Sequence, residues 1–339
     1  MTLLDNRSLF AAELFAFPDA EGQEISLLVV VATFEINENG DLEPITPQVP
    51  VRVADEHFGD PALTSVRYEA DVALKKHFID VLVNGSAHAP KGRPARSVTA
   101  GLYIGDIRKE LVVHGDRKSG PLLTGRIISS RPKQFVTMPI VYERAYGGTD
   151  TRASNPKRHK ICRWNPVGLG FRGVRSHDPS IQTHVPNIEY AGRKPKSIKK
   201  GPAGFGVIGR SWSPRLEFAG TYDQQWIDTQ WPLLPTDFDE QHYQFAPTDQ
   251  QSKTIRGGED VHLLNLTPRG EWKFTLPEVK IPVLLHFDDR QIQLSLRVDT
   301  VIIEPDISRV TLSYRIAMPV ERNCVPLREI VLGDVTRLA

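Results

Sequence analysis

Apolar and polar positions alternate with period two over much of residues 1–145 and again from 259 to 339, a pattern that predicts strands. Residues 24–37, EISLLVVVATFEIN, are β-branched and apolar between polar turn formers, and read as a buried strand. Asn39-Gly40 behind them is a hairpin signal. Residues 66–83 give a second strand region that closes at Asn84-Gly85. Residues 97–104 and 107–114 flank Gly105-Asp106, a two-residue turn, so the spacing predicts an antiparallel pair. Residues 137–144 predict one more strand, with Pro139 marking an edge or a bulge. Regularity returns at 261–266, 271–276 and 283–287. It ends in two runs with one apolar face each: Ile292, Leu294, Leu296, Val298, then Val310, Leu312, Tyr314, Ile316, Met318.

Between these regions the period stops. Residues 201–258 hold three of the five tryptophans, Trp212, Trp226 and Trp231, together with seven glycines and five prolines. Disordered chain is poor in rings, so the expectation is an ordered, irregular segment pinned by its own aromatics. Helix has room only between Asp223 and Trp231. The predicted fold is mainly β: antiparallel sheets, sandwich- or barrel-like, with a long ordered irregular central segment and little helix. It is read as one domain over 1–339, with sub-regions 1–145 (a β meander), 146–258 (irregular, aromatic and basic) and 259–339 (β).

Composition narrows the class. The chain has 339 residues and a net charge of +1, and no apolar run approaches the ~20 residues of a membrane-spanning helix. The N-terminus lacks the basic start and small-residue cleavage site of a signal peptide. Two cysteines, Cys162 and Cys324, are too few for a disulfide framework, so a reducing cytoplasm is expected, with a single bridge between them as the alternative. The charge is uneven: residues 152–200 carry twelve Lys or Arg against two acids, a surplus of +10 on a body of −9. That segment is either a solvated basic loop or a docking surface for an acidic partner. Nucleic acid is not expected, because Trp164, Phe171 and Tyr190 are not interleaved with the basic residues as a stacking platform requires.

Catalytic motifs are scarce. Gly204, Gly206 and Gly209 match G-x-G-x-x-G, but Gly201-Pro202 precedes them and Pro214 stands where the helix interior belongs, so no dinucleotide site is expected. His177, Asp178 and His184 raise a metal site without a sufficient ligand set. Asp237, Asp239 and Glu240 lie beside Trp231 and Phe238; paired carboxylates near rings suit glycoside hydrolysis, and also suit turn capping. The enzymatic alternative is therefore a carbohydrate-active β protein using Asp237 and Asp239.

Several ordered motifs resemble a known family. They are Tyr142-Glu-Arg-Ala-Tyr-Gly-Gly148, Asn165-Pro-Val-Gly-Leu-Gly-Phe171, Arg210-Ser-Trp-Ser-Pro-Arg215, Ala219-Gly-Thr-Tyr-Asp223 with Trp226, Leu234-Pro-x-Asp-Phe-Asp239, Ala246-Pro-x-Asp-Gln250 and Gly257-Gly-Glu259. Together they are similar to the large bacterial adaptor family of type VI secretion. The resemblance implies a cytoplasmic, non-catalytic adaptor that binds an effector toxin and promotes its loading onto the VgrG-type spike, without cofactor or metal. Arginine and aromatic side chains anchor interfaces, which marks Arg163, Trp164, Arg172, Arg175, Arg210, Trp212, Arg215, Tyr222, Trp226 and Trp231 as candidate partner contacts. The rival expectation is that the rings are core and that partners add to strand edges.

Overall fold

The structure, a computed structural model, describes residues 2–19, 22–121, 127–151, 153–171, 183–192, 201–322 and 325–333. It is mainly β, with several largely antiparallel sheets, one short α-helix among the described residues, and no closed barrel.

The largest sheet runs in the order Ala11–Pro18, Glu24–Ile36, Arg309–Pro319, Val298–Glu304, Ile79–Val83, Gln251–Ser252, with Leu42–Pro44 added beside Glu24–Ile36. Its centre pairs Glu24–Ile36 with Arg309–Pro319 over eleven residues, Arg309↔Glu35 through Pro319↔Ile25. Only Val298–Glu304 with Ile79–Val83 is parallel in this sheet. Glu24–Ile36 is buried on both faces. Leu28, Val30, Ala32 and Phe34 enter the main core, while Leu27, Val29 and Val31 pack with Val51 in a second cluster. A strand covered on both sides has no reason to alternate, which explains its unbroken apolar run.

A second sheet orders Ile188–Tyr190, Ile107–His114, Ser97–Ile104, Asp260–Leu264 and Glu271–Thr275, all antiparallel. The Gly105-Asp106 turn falls where the sequence places it, with Ile104 opposite Ile107 and Gly105 at φ +52°. A third sheet joins Leu3–Asn6, Val325–Leu332, Pro282–Phe287 and Gln291–Ser295. Leu28 and Val30 from the first sheet, Leu102 and Leu263 from the second, and Val283 and Ile330 from the third meet in one continuous core.

Several expectations change. Residues 66–83 are two strands, Val66–Tyr68 and Ile79–Val83, in different sheets. The strand predicted at 137–144 stops at Pro139, and Tyr142–Arg144 is a 3-10 turn. The run from Ile292 to Val298 changes sheets: Gln291–Ser295 pairs with Pro282–Phe287, and Val298–Glu304 pairs with Arg309–Pro319. The alternation survives the switch because each half still turns one face to the same core. The first and second sheets each take central strands from both 1–145 and 259–339.

Candidate functional site

The central segment is fastened to the sheets by buried polar side chains. Asp80 interrupts the apolar strand Ile79–Val83 and is fully buried. Its Oδ1 accepts from Gln244 Nε2 at 2.9 Å, and its Oδ2 accepts from the Phe245 amide at 3.0 Å and from Lys76 Nζ at 2.7 Å. Burial pushes the Lys76 ammonium below its ordinary value, with Asp80 pulling the other way. Gln244 Oε1 takes the amides of His77 and Phe78 at 2.8 and 3.0 Å. Gln250 Nε2 donates to the carbonyls of Val81 and Phe205 at 2.6 and 2.9 Å, while its Oε1 accepts from Lys109 Nζ at 2.7 Å. Lys109 also reaches Asp249 at 2.7 Å. Every such buried group would be costly unmatched, so the network specifies how the segment lies on the strands.

The rings of the segment divide into two sets. Phe205, Trp212 and Phe245 are core. Trp212 packs edge-on against Tyr142 at 5.5 Å, and the Tyr142 hydroxyl donates to the Gly206 carbonyl at 2.9 Å. Gly204 lies directly beneath Tyr142; a Cβ there would stand 2.4 Å from the ring. The glycine triplet at 204–209 therefore serves close packing around Phe205, with no strand in residues 201–203 and no helix at the triplet.

Arg215 is the hinge between the two sets. Its guanidinium meets the Glu69 carboxylate at 2.6 and 2.7 Å and donates to the carbonyls of Ile208 and His242. Burial pushes the His242 imidazole below 6.5. Its ring Nδ1, 2.9 Å from the Arg215 carbonyl, gains a hydrogen bond that pulls the value back up, and the Arg215 charge lowers it again. The candidate contacts Trp212 and Arg215 need correction. At 6% and 3% exposure they face inward, and their role is to fix the segment.

Beyond Arg215 the chain rises into a lobe, residues 216–240, which displays the second set of rings. Its α-helix, Gln224–Thr229, is six residues long and buries none of them. A helix so short is marginal alone. Asp223 caps it by accepting from the Trp226 amide at 2.9 Å. Trp226 is half-buried, its Nε1 donating to the Leu233 carbonyl at 2.9 Å and its ring standing 4.7 Å from Tyr222. The lobe closes through Thr221, whose amide and hydroxyl both donate to Asp237 at 2.9 and 2.7 Å. This leaves Leu216, Tyr222 and Ile227 about half exposed and Trp231 67% exposed. Four of the twelve exposed large apolar side chains among the described residues thus fall in this one short stretch.

At the foot of the lobe lies a cleft of about 290 Å³, walled by Trp164, Pro214, Phe218, Ala246, Pro247 and Thr248 among others. Trp164 is half-buried there, while Arg163 is exposed and its carbonyl accepts from the Ser213 amide at 2.9 Å. Arg210 stands half exposed and pairs with Asp55 at 2.7 Å. Arg172 and Arg175 lie outside the described residues, as do His177, Asp178 and Cys324. Cys162 is buried. The structure thus gathers Trp164, Tyr222, Trp226 and Trp231 around the lobe and its foot.

The acidic trio has structural partners. Asp237 holds Thr221; those two hydrogen bonds keep its carboxyl below 3.8. Asp239 caps the 3-10 turn Glu240–Tyr243 through the Gln241 amide at 2.8 Å. Glu240 pairs with Lys75 at 2.8 Å and lies 3.0 Å from His77. A general acid needs a raised carboxyl, which Asp237 is not. Among the described residues no three His, Cys, Asp or Glu side chains cluster as metal ligands, and no helix is long and apolar enough to cross a membrane.

The sequence reading passed over Glu69, Asp80, Lys109 and Gln244. Asp80 within an apolar run was the available signal, because a charge in a buried strand demands partners. A second unread signal is composition: residues 216–252 carry seven acids and no Lys or Arg.

Searches among curated proteins and among solved structures returned no match. A family model matches residues 21–315, spanning all the motifs from Tyr142 to Glu259. The chain belongs to that family, described as an uncharacterized protein conserved in bacteria (DUF2169).

Proposed function

We infer that this protein is a cytoplasmic adaptor of bacterial type VI secretion, which binds an effector toxin and promotes its loading onto the VgrG-type spike without breaking a bond itself. The observation that carries this reading is the lobe: four large apolar side chains, Leu216, Tyr222, Ile227 and Trp231, held out in water on a base stapled by Arg215–Glu69 and Gln244–Asp80. Exposed rings on a rigid base are the anatomy of an interface anchor, because little side-chain entropy is lost on docking. The motif resemblance supplies the partners. The structural employment of Asp237, Asp239 and Glu240 favours binding over hydrolysis.

The test is affinity capture with the tagged full chain in its native bacterium. Co-purification of a toxin and a spike protein, lost with Tyr222→Ala/Trp231→Ala while folding is retained, supports the reading. Turnover of a glycan panel that Asp237→Asn abolishes would overturn it.

A further inference from the structure

The lobe is acidic as well as apolar, and the two properties together specify what it takes. Between Leu216 and Ser252 the chain has Glu217, Asp223, Asp228, Asp237, Asp239, Glu240 and Asp249, and no basic residue but His242. Lys75 answers Glu240 and Lys109 answers Asp249. Asp223, Asp237 and Asp239 accept hydrogen bonds from amides, and Asp228 from Gln224, contacts that leave their charge in place. Glu217, Asp223, Asp228 and Asp237 are all exposed, in the same short excursion that exposes Leu216, Tyr222, Ile227 and Trp231. Aromatic faces add to the pull on a cation.

The cleft below is apolar along Trp164, Phe218, Ala246 and Pro247. Its volume, about 290 Å³, lies just under the roughly 300–1,000 Å³ of small-molecule sites. It has room for one large apolar side chain of a longer ligand.

We propose that the lobe and its cleft bind a cationic peptide segment of a partner protein, the lobe's carboxylates and rings holding its Lys or Arg side chains and the cleft receiving one apolar anchor beside them. This rests on the adaptor reading and adds the chemistry of the partner. The partner segment that meets the lobe is basic, whereas the acidic partner is the expectation for the separate basic stretch 152–200. Charge complementarity of this kind sets encounter rate and register, and the anchor sets residence.

The probe is a fluorescein-labelled Gly/Ser peptide with four lysines flanking one leucine, titrated against the full-length chain by anisotropy. Binding is expected to weaken as salt rises, because exposed charges are screened. Replacing the lysines by glutamates, or the leucine by serine, should each weaken binding about tenfold or more, the equivalent of one anchor contact. On the protein side, Glu217→Gln/Asp228→Asn leaves the Asp223 cap and the Asp237 tether intact and should lose the lysine dependence. Thr248→Trp, which fills the cleft from its exposed wall, should lose the leucine dependence. Equal binding of the glutamate peptide, indifference to the leucine, or indifference to both protein variants overturns the proposal. So does a self-associated chain that Glu217→Gln/Asp228→Asn converts to monomer while no peptide binds, since the occupant is then a second copy. If toxin and spike co-purify but the peptide fails, the adaptor reading stands and this inference falls; if the peptide binds as expected but neither protein co-purifies, the reverse holds.

Discussion

The Arg215 guanidinium faces the Glu69 carboxylate in a two-pronged grip, Nη1 to Oε2 at 2.6 Å and Nη2 to Oε1 at 2.7 Å, with both side chains buried. Arg215 stands at the start of the 3-10 turn Arg215–Phe218, which leads into the lobe, and Glu69 follows the strand Val66–Tyr68. One ion pair therefore ties the display surface to the β framework. Removing one partner strands the other charge inside. Glu69→Ala is expected to cost about 3–5 kcal/mol in denaturant unfolding. Glu69→Gln with Arg215→Met should recover much of that, because no lone charge remains.

The two sets of rings should answer truncation oppositely. Trp212→Ala opens a cavity beside Tyr142 and should cost about 3–5 kcal/mol. Trp231→Ala removes an exposed ring and should change stability by no more than about 0.5 kcal/mol, while weakening partner capture. Trp226 lies between them, so Trp226→Ala should leave the sheets folded and speed hydrogen exchange at the amides of Gln224–Thr229. Global unfolding by Trp226→Ala would contradict this division.

Acid should weaken the fold at His242, beneath the lobe. The His242 value is depressed by burial from 6.5, so the unfolded chain takes up the proton first. The stability His242 contributes is present above about pH 6.5 and is lost as the pH falls through its lower folded value. Denaturant melts at about pH 7.5 and 5.5 should show a loss for the native chain and a smaller one for His242→Asn. The Arg215 and Arg210 charges push the His242 value the same way as burial, and the Glu69 carboxylate pulls against them.

Gln250 is expected to matter alongside the core rings. Gln250→Leu leaves the carbonyls of Val81 and Phe205 and the Lys109 ammonium each short of a hydrogen bond. The Phe205 carbonyl keeps the Val83 amide at 3.1 Å and Lys109 keeps Asp249 at 2.7 Å, so the loss at each is partial, and a cost of about 1–3 kcal/mol in denaturant unfolding is expected. A variant with native stability would show that the polar network is dispensable.

Much of the fold could be read from the pattern of residues. Ser97–Ile104 and Ile107–His114 occupy the predicted positions because a two-residue glycine turn between alternating runs admits few other arrangements. Strand partners could not be read. Glu24–Ile36 is apolar on both faces, so its sequence does not say that Arg309–Pro319 lies beside it. Ile292 and Val298 share one unbroken period yet belong to different sheets, because alternation records which way a side chain points and not which neighbour its backbone bonds. In the central segment, the density of rings showed order but gave no period to separate inside from outside. The separating signal was charge: Trp231 sits among acids without a single Lys or Arg, whereas Phe205 lies among glycines. Asp239 as a turn cap was within reach of the sequence; its bond to the Gln241 amide is the one its position two residues earlier predicts.

The pairing of Glu24–Ile36 with Arg309–Pro319, and of Leu3–Asn6 with Val325–Leu332, sets the order of events at the ribosome. Leu3–Asn6 and Glu24–Ile36 wait for partners far downstream to emerge. Throughout that wait the thirteen-residue apolar strand is paired on one side with Ala11–Pro18 but keeps its other edge open until Arg309–Pro319 arrives, the kind of edge that recruits wrong partners. Synthesis of this protein is therefore expected to lean on chaperones that shield hydrophobic chain, and a break anywhere in its middle should leave two insoluble pieces rather than two working halves.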